Sequence, residues 1–314
     1  GGTGLTTEPT DVSRGVGYAL GIKNLGFSEG FDDYAQARVR LTAEGATVET
    51  AAIEVGQGLV TVLAQIARSA LGVSRATVRN VDTSMIDSAG STSASRQTQL
   101  SGGATLEAST RLRARILHAY NGDDLDDDGV WSEGRLVTPM AEITEGSWEE
   151  TATFRHPATT KPDENGQGVI HADFAVAGHR AVVDVDPELG LVRVVRVDTA
   201  QDVGKALNPQ SVRGQIEGGI MQGVGLAIME ELIVEDGIIR NPNFTDYLLP
   251  TILDAPEVEA LLIEKEGSWG PYGAKGVGEP PIISSAAAVA AAIRDATGRP
   301  IDRIPVRPQD IALL

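Results

Sequence analysis

The chain contains no cysteine. That excludes disulfide bonds, thiolate zinc sites and iron–sulfur clusters ligated from within it. It has no run of 18 consecutive apolar residues, so no transmembrane helix is expected. Positive charge is scarce. The 26 Lys and Arg stand against 44 Asp and Glu, a net −18, so the chain repels nucleic acid and anionic membrane surfaces. Neither Gly-x-Ser-x-Gly nor His-Glu-x-x-His occurs, and Lys275 is not part of a Walker loop. The four histidines, His118, His156, His171 and His179, lack metal-ligand spacing. Residues 1–14 are polar and glycine-rich, unlike a signal peptide, and read as a linker or tail. The whole fits a cytoplasmic protein.

What is present is a 41% apolar chain of 314 residues, longer than most single domains. Strand patterns fall at 15–23, at 35–43 and 46–55 around a turn at Glu44-Gly45, and at 76–86. Residues 169–185 and 190–199 read as a hairpin around Pro187-Glu188-Leu189-Gly190. Helical periods cover 59–71, the stretch from 98 to about Ala119, 208–230 and 282–297. Asn208-Pro209 is an N-cap followed by Pro at the first helical position, and Gly298 stops the last helix. Residues 121–148 are the least orderly part. Asp124, Asp126 and Asp128 have the alternate spacing of a calcium loop, but the required glycine and distal glutamate are misplaced, so a solvated acidic loop is expected. The pattern predicts an α+β fold with helices packed on mixed or antiparallel sheets. The body spans 15–314, with a subdomain boundary near 148.

Four glycine-rich segments lie at or before helix starts. Glu54-Val55-Gly56-Gln57-Gly58 reads as a plain strand-to-helix turn or as a backbone cradle beside an amide side chain. The stretch 88–98 gathers hydroxyls with Arg96 and Gln97, a composition that suits phosphate or simple helix capping. Residues 218–225 hold four glycines inside a helix, each costing up to ~1 kcal/mol relative to Ala. Close helix packing and close approach to a cofactor both account for them. Residues 270–281 end in Gly278-Glu279-Pro280-Pro281, where Glu279 is either an acid favoured by the helix dipole or a general base on a rigid step.

Taken together and in order, VGQG, SASRQT, ALNPQSVRGQIEGGIMQGVG and GAKGVGEPP resemble the molybdenum subunits of xanthine dehydrogenase-like hydroxylases, specifically their second molybdopterin-binding part. The resemblance runs from about residue 15 to the C-terminus. It implies that Glu279 is the active-site base, taking a proton from a molybdenum-bound hydroxyl as the oxygen attacks an electron-poor carbon. Gln57, framed by Gly56 and Gly58, together with Ala94, Ser95, Gln97 and Gln222, resembles positions lining the pterin and its phosphate or nucleotide tail. Phe27 and Ser28 fall where xanthine-type enzymes contact the substrate ring. No residue is implied as a direct metal ligand. The family's first molybdenum-binding half, with its Gly-Gly-Phe-Gly-Gly-type loop, has no counterpart here.

The expected activity is therefore hydroxylation of a purine-like N-heterocycle with water-derived oxygen. It would use molybdenum–molybdopterin, in a form such as the cytosine dinucleotide. The implied partners are the first molybdenum-binding half and chains carrying 2Fe-2S clusters and FAD. The alternative is a catalytically silent structural half that stabilises a partner subunit.

Overall fold

The structure, a computed structural model, describes residues 12–265 and 267–312. In chain order these form β1 (Ser13–Leu25), β2 (Tyr34–Thr42), β3 (Gly45–Thr50), α1 (Leu59–Leu71), β4 (Ala76–Asn80) and α2 (Gln97–Ala119). Then come β5 (Asp124–Leu125), β6 (Gly129–Ser132), β7 (Arg135–Pro139), α3 (Met140–Ile143), β8 (Trp148–Arg155), β9 (Asp173–Asp186) and β10 (Leu191–Asp202). The chain continues through α4 (Pro209–Ile228), β11 (Val234–Glu235), β12 (Ile238–Ile239), β13 (Glu257–Ile263), α5 (Ser285–Thr297) and α6 (Pro308–Ala312).

Two helix-backed sheets organise the chain. In the order β4-β3-β2-β8, only the β3–β4 pairing is parallel. Alternation in β2 buries Ala35, Ala37, Val39 and Leu41 beneath α1 and α2, where Val39 and Leu41 meet Leu112 and Ile116. The second sheet, β1-β9-β10-β13, is antiparallel except for β10–β13. Its inner face joins Ile216, Ile220 and Val224 of α4 with Val289 and Ile293 of α5 in one core. β1 lets α5 come close because its inward positions are small: a Cβ on Gly17 would stand 2.2 Å from the Ala288 carbonyl oxygen.

The architecture is the α+β arrangement read from the sequence, with differences at the element ends. The strand expected over 46–55 stops at Thr50, whose hydroxyl accepts the Ala52 N–H and turns the chain. The one expected over 76–86 stops at Asn80, because Asp82 folds a turn by accepting from the N–H and hydroxyl of Ser84. The last helix begins at Ser285 rather than 282, after a turn in which Ile282 N–H donates to Glu279 C=O. Residues 121–148 are more ordered than expected, folding into β5–β7 and α3. There Asp126 accepts from the N–H groups of Asp128 and Gly129 and from the Trp131 indole, so its carboxylate closes a turn. No cluster of potential metal ligands occurs among the described residues. The tail expected over 1–14 lies outside the described residues as far as residue 11, and β1 begins at Ser13. No described helix is long and apolar enough to cross a membrane.

Candidate functional site

The starts of α1, α2 and α4 and the loop 274–279 face one cleft of about 470 Å³. Three helix N-termini thus direct the positive ends of their dipoles toward one space, which favours anionic groups there. Asn208 caps α4 by accepting the Ser211 N–H at 3.0 Å, and its amide donates to Gln65 of α1 at 3.2 Å. The glycines inside α4 divide by role. A Cβ on Gly219 would meet Pro281 at 2.7 Å, and one on Gly223 would meet Ser285 at 1.9 Å, so these two let α4 press against the segment after Glu279. A Cβ on Gly218 would meet nothing within 4 Å.

The wall bearing Ser95 is built under strain. Ala94 and Ser95 adopt φ values of 58° and 49°, a left-handed conformation that side chains disfavour and that marks an over-determined segment. Ala94 C=O accepts the Gly26 N–H at 2.9 Å. Ser95 Oγ accepts the Glu279 N–H at 3.0 Å and donates to Glu279 Oε2 at 2.8 Å. The fit is close enough that a Cβ on Gly276 would stand 1.7 Å from Ser95 C=O. Below this turn Arg96 is fully buried. It pairs with Asp33 at 2.6 Å and donates to the carbonyls of Ala89, Ser91 and Tyr34. The composition of 88–98 suits phosphate or helix capping, but the Arg96 guanidinium is spent on Asp33, on Tyr34 C=O and on the carbonyls of Ala89 and Ser91 in its own loop.

Of the residues singled out by sequence, Gln57, Ser95, Gln97, Gln222 and Glu279 line the cleft. Gly56, Gly58, Ala94, Phe27 and Ser28 are not in its lining. Gln57 closes on its own loop, accepting from Val55 N–H at 2.6 Å and donating to Ile53 C=O at 3.0 Å. Gln97 is buried, donating to Ser91 C=O at 2.9 Å and accepting from the Ser101 hydroxyl. Among the described residues Gln222 has no hydrogen-bond partner, nor has Gln215 one turn-pair earlier on the same cleft. Phe27 lies beside Arg96, whose guanidinium carbon is 5.6 Å from its ring centroid, and meets Phe31 edge-on at 5.1 Å.

Sequence reasoning missed Gln215 and Ser211, though both lie within the quoted α4 motif at helical spacing from Gln222. It also missed Lys23, whose ammonium is 3.3 Å from Glu279 Oε2. Nothing in the local sequence pairs a lysine of the first strand with a carboxylate some 250 residues later. Lys275 is tied elsewhere, 2.7 Å from Asp202 and 2.6 Å from Phe174 C=O.

The chemistry the cleft offers is polar and anion-accepting: unpartnered side-chain amides, hydroxyls at helix starts, glycine backbone at 276 and 278, and one carboxylate at its edge. These groups fit a pterin with a phosphorylated tail, whose ring edges need hydrogen-bond partners and whose phosphates need helix N-termini.

Residues 5–256 match the family model described as a molybdopterin cofactor-binding domain. The chain is 35% identical over 95% of its length to the 6-hydroxypseudooxynicotine dehydrogenase complex subunit gamma of Paenarthrobacter nicotinovorans, of which it covers 39%. It is 30% identical over 88% of its length to a putative xanthine dehydrogenase molybdenum-binding subunit of Escherichia coli (strain K12), again covering 39%. The fold superposes on the aldehyde oxidoreductase of Desulfovibrio desulfuricans ATCC 27774 with a TM-score of 0.81 at 27% identity, covering 97% of this chain and 32% of that one. On quinoline 2-oxidoreductase from Pseudomonas putida 86 the TM-score is 0.79 at 29% identity, covering 96% and 41%. The chain thus spans about two fifths of the length of these curated relatives. With its glycine-rich segments facing one cleft in a fold shared with molybdenum hydroxylases, the chain belongs to the molybdopterin cofactor-binding domain family of xanthine dehydrogenase-like and aldehyde oxidoreductase-like enzymes.

Proposed function

We propose that this chain forms the second molybdopterin-binding part of a hydroxylase that inserts water-derived oxygen into an N-heterocycle, with Glu279 as general base. The observation that carries this reading is the convergence of the four glycine-rich segments, far apart in sequence, on one cleft with Glu279 in its wall. Gln215 and Gln222 supply free amides for the pterin edges, and the starts of α1, α2 and α4 seat the phosphates. More than one anion seat favours a dinucleotide form of the cofactor, such as the cytosine dinucleotide. When bound, the molybdenum–pterin group supplies the oxygen-transfer and redox chemistry. Glu279 accepts the proton of the attacking nucleophile, and general-base catalysis of this kind contributes roughly 10²–10⁴-fold. Phe27, outside the cleft lining on a loop tied to Ala94 through Gly26, is assigned to contact the substrate ring together with Ser28.

N-heterocycles are the favoured substrate class, since two of the similar proteins are named for nitrogen heterocycles, quinoline and xanthine. The 2Fe-2S clusters that carry electrons away are assigned to partner chains, because this chain has no thiolate to offer, and FAD is assigned there by the family resemblance. The polypeptide corresponding to the rest of the relatives' length is the other partner, completing the cofactor pocket. An exposed apolar surface for such a partner exists on the outer face of the β1-β9-β10-β13 sheet, where Leu20 is 84% and Ile22 72% exposed.

Turnover of a candidate N-heterocycle by the assembled enzyme in ¹⁸O-labelled water tests the reaction. Label is expected in the hydroxylated product. Oxygen taken instead from O₂ would overturn it.

A further inference from the structure

The carboxylate of Glu279 is bonded asymmetrically. Oε2 receives the Ser95 hydroxyl at 2.8 Å and stands 3.3 Å from the Lys23 ammonium. Among the described residues Oε1 has no hydrogen-bond partner, although the side chain is 41% exposed at the cleft. The Lys23 ammonium is itself held in place: it donates to Asn24 C=O at 2.5 Å and to Asn24 Oδ1 at 3.3 Å, and it forms an ion pair with Glu279 Oε2. Alternation along β1 turns Lys23 to the same side as Gly21, which lies against Ile283 and Ser284 ahead of α5. With its side chain only 17% exposed there, an unpaired ammonium would be costly, so the pairing with Glu279 fixes both partners.

We propose that Lys23 and Ser95 are positioning residues that fasten Oε2 of Glu279 and thereby reserve Oε1 as the atom that takes the proton. The proposal rests on the reading of Glu279 as general base and names how that base is held. A carboxylate bonded through both oxygens would have fewer free lone pairs to turn toward the cleft. One bonded through neither would sample rotamers in which no lone pair faces the cleft. Fastening one oxygen avoids both costs, and misplacement of a reacting group by about 1 Å can cost ~10²-fold in rate. The strained turn at Ala94-Ser95 has a use in this scheme. It delivers the Ser95 hydroxyl to both the N–H and the carboxylate of one residue.

The test has one arm without turnover and one with it. Ser95→Gly suits the left-handed backbone at this position and deletes the hydroxymethyl group that carries the hydroxyl. In the chain by itself, hydrogen exchange of the Glu279 amide should quicken at least ~10-fold in this variant. An unchanged rate overturns the fastening whatever the enzyme does. In the assembled enzyme, with activity counted per bound molybdenum, Lys23→Met and Ser95→Gly should each lower kcat by ~10-fold or more with KM within about twofold of wild type. Lys23→Arg should recover most of that loss. A purely structural role would lower cofactor content while leaving kcat per molybdenum unchanged, and that result overturns the proposal. The two readings separate cleanly. Near-normal kcat in the Lys23 and Ser95 variants beside an inactive Glu279→Gln enzyme sinks only the positioning role. An active Glu279→Gln enzyme sinks the base itself.

Discussion

Glu54 and Glu279 occupy matching places in the sequence, each in a glycine-rich loop ahead of a helix. The structure treats them differently. Glu54 folds back on its own helix: Oε1 accepts from Gly56 and Gly58 N–H at 2.7 and 3.0 Å, and Oε2 accepts from Val60 N–H at 3.0 Å. Burial by itself would push its pKa up, but the backbone hydrogen bonds from Val60, Gly58 and Gly56 outweigh it, and the net shift is downward. Glu279 accepts no N–H from α5; its bonds run to Ser95 on the α2 loop and Lys23 on β1, and one oxygen is left over. A carboxylate whose oxygens are both spent on backbone amides stabilises a helix. One held by side chains from other elements, with a lone pair to spare, is available for chemistry.

The largest expected effect separates the two directly. Glu279→Gln in the assembled enzyme should lower kcat at least ~10²-fold while molybdenum and pterin content stay near wild type, because the amide keeps the size but cannot take the proton. Glu54→Gln, matched in chemistry, should leave kcat within a few-fold. Retention of half the wild-type activity by the Glu279 variant would assign it the same capping role as Glu54.

How much of this was legible beforehand follows from what each feature depends on. Helix starts carry their own chemistry, so Asn208-Pro209 fixed the beginning of α4 from local sequence alone. The β2 strand was equally plain, since its alternation is unbroken. β8 and β13 were passed over. Their patterns are short and rich in glutamate, and their pairing with β2 and β10 is set by residues more than a hundred or about sixty positions away. At the site, the loops were visible as glycine clusters, but the use of their side chains was not. Gln57 and Gln97 look like ligands in sequence because nothing nearby shows that Val55, Ile53, Ser91 and Ser101 consume their amides. Lys23 was invisible for the opposite reason, being an ordinary strand lysine until the fold brings it to Glu279.

His179 offers a second way to probe the Glu279 side of the comparison, since it is buried in β9 beneath the Pro281–Ser284 turn, with Nδ1 2.8 Å from Ser284 Oγ. Burial pushes its pKa from 6.5 down to about 4, against a smaller opposing contribution from the Pro281 backbone. Between those values the unfolded imidazole binds a proton that the folded one refuses. Stability is thus fully present above about pH 6.5 and is lost as pH falls toward 4. At 1.36 kcal/mol per unit the loss is on the order of 3 kcal/mol. Urea unfolding at pH 7 and pH 4.5 should show most of this loss in the wild type and much less of it in His179→Gln. Equal pH dependence in both proteins would remove His179 from the account.

Gly276→Ala tests the contact that joins the two loops around Glu279. The added Cβ would fall 1.7 Å from a backbone oxygen, that of Ser95, so no rotamer change can relieve it. Overpacking of this kind costs ~1–3 kcal/mol, and the strained Ala94-Ser95 turn is the part expected to give way. Faster hydrogen exchange across 91–97 together with 274–280 is the expected signature. Exchange rising in only one of the two segments would show that they are not coupled.

The smallest effect belongs to Glu54, and it completes the contrast. Its folded pKa lies below that of the unfolded carboxylate, so the stabilisation it gives is present above the unfolded value, near 4.5, and is lost as pH falls through the folded one. Glu54→Gln keeps a single acceptor oxygen for amides that now share two, and loses the charge that complements the α1 dipole. A cost near ~1 kcal/mol at pH 7 is expected, as for removal of other N-terminal helix caps. Because a glutamine does not titrate in this range, the cost should shrink as the pH approaches 3. Chemical unfolding of wild type and variant at pH 7 and pH 3.5 measures it. A difference that stays constant across that range would mean that the amide bonds to Glu54 gain nothing from its charge. The distinction drawn between the two glutamates would then rest on Glu279 alone.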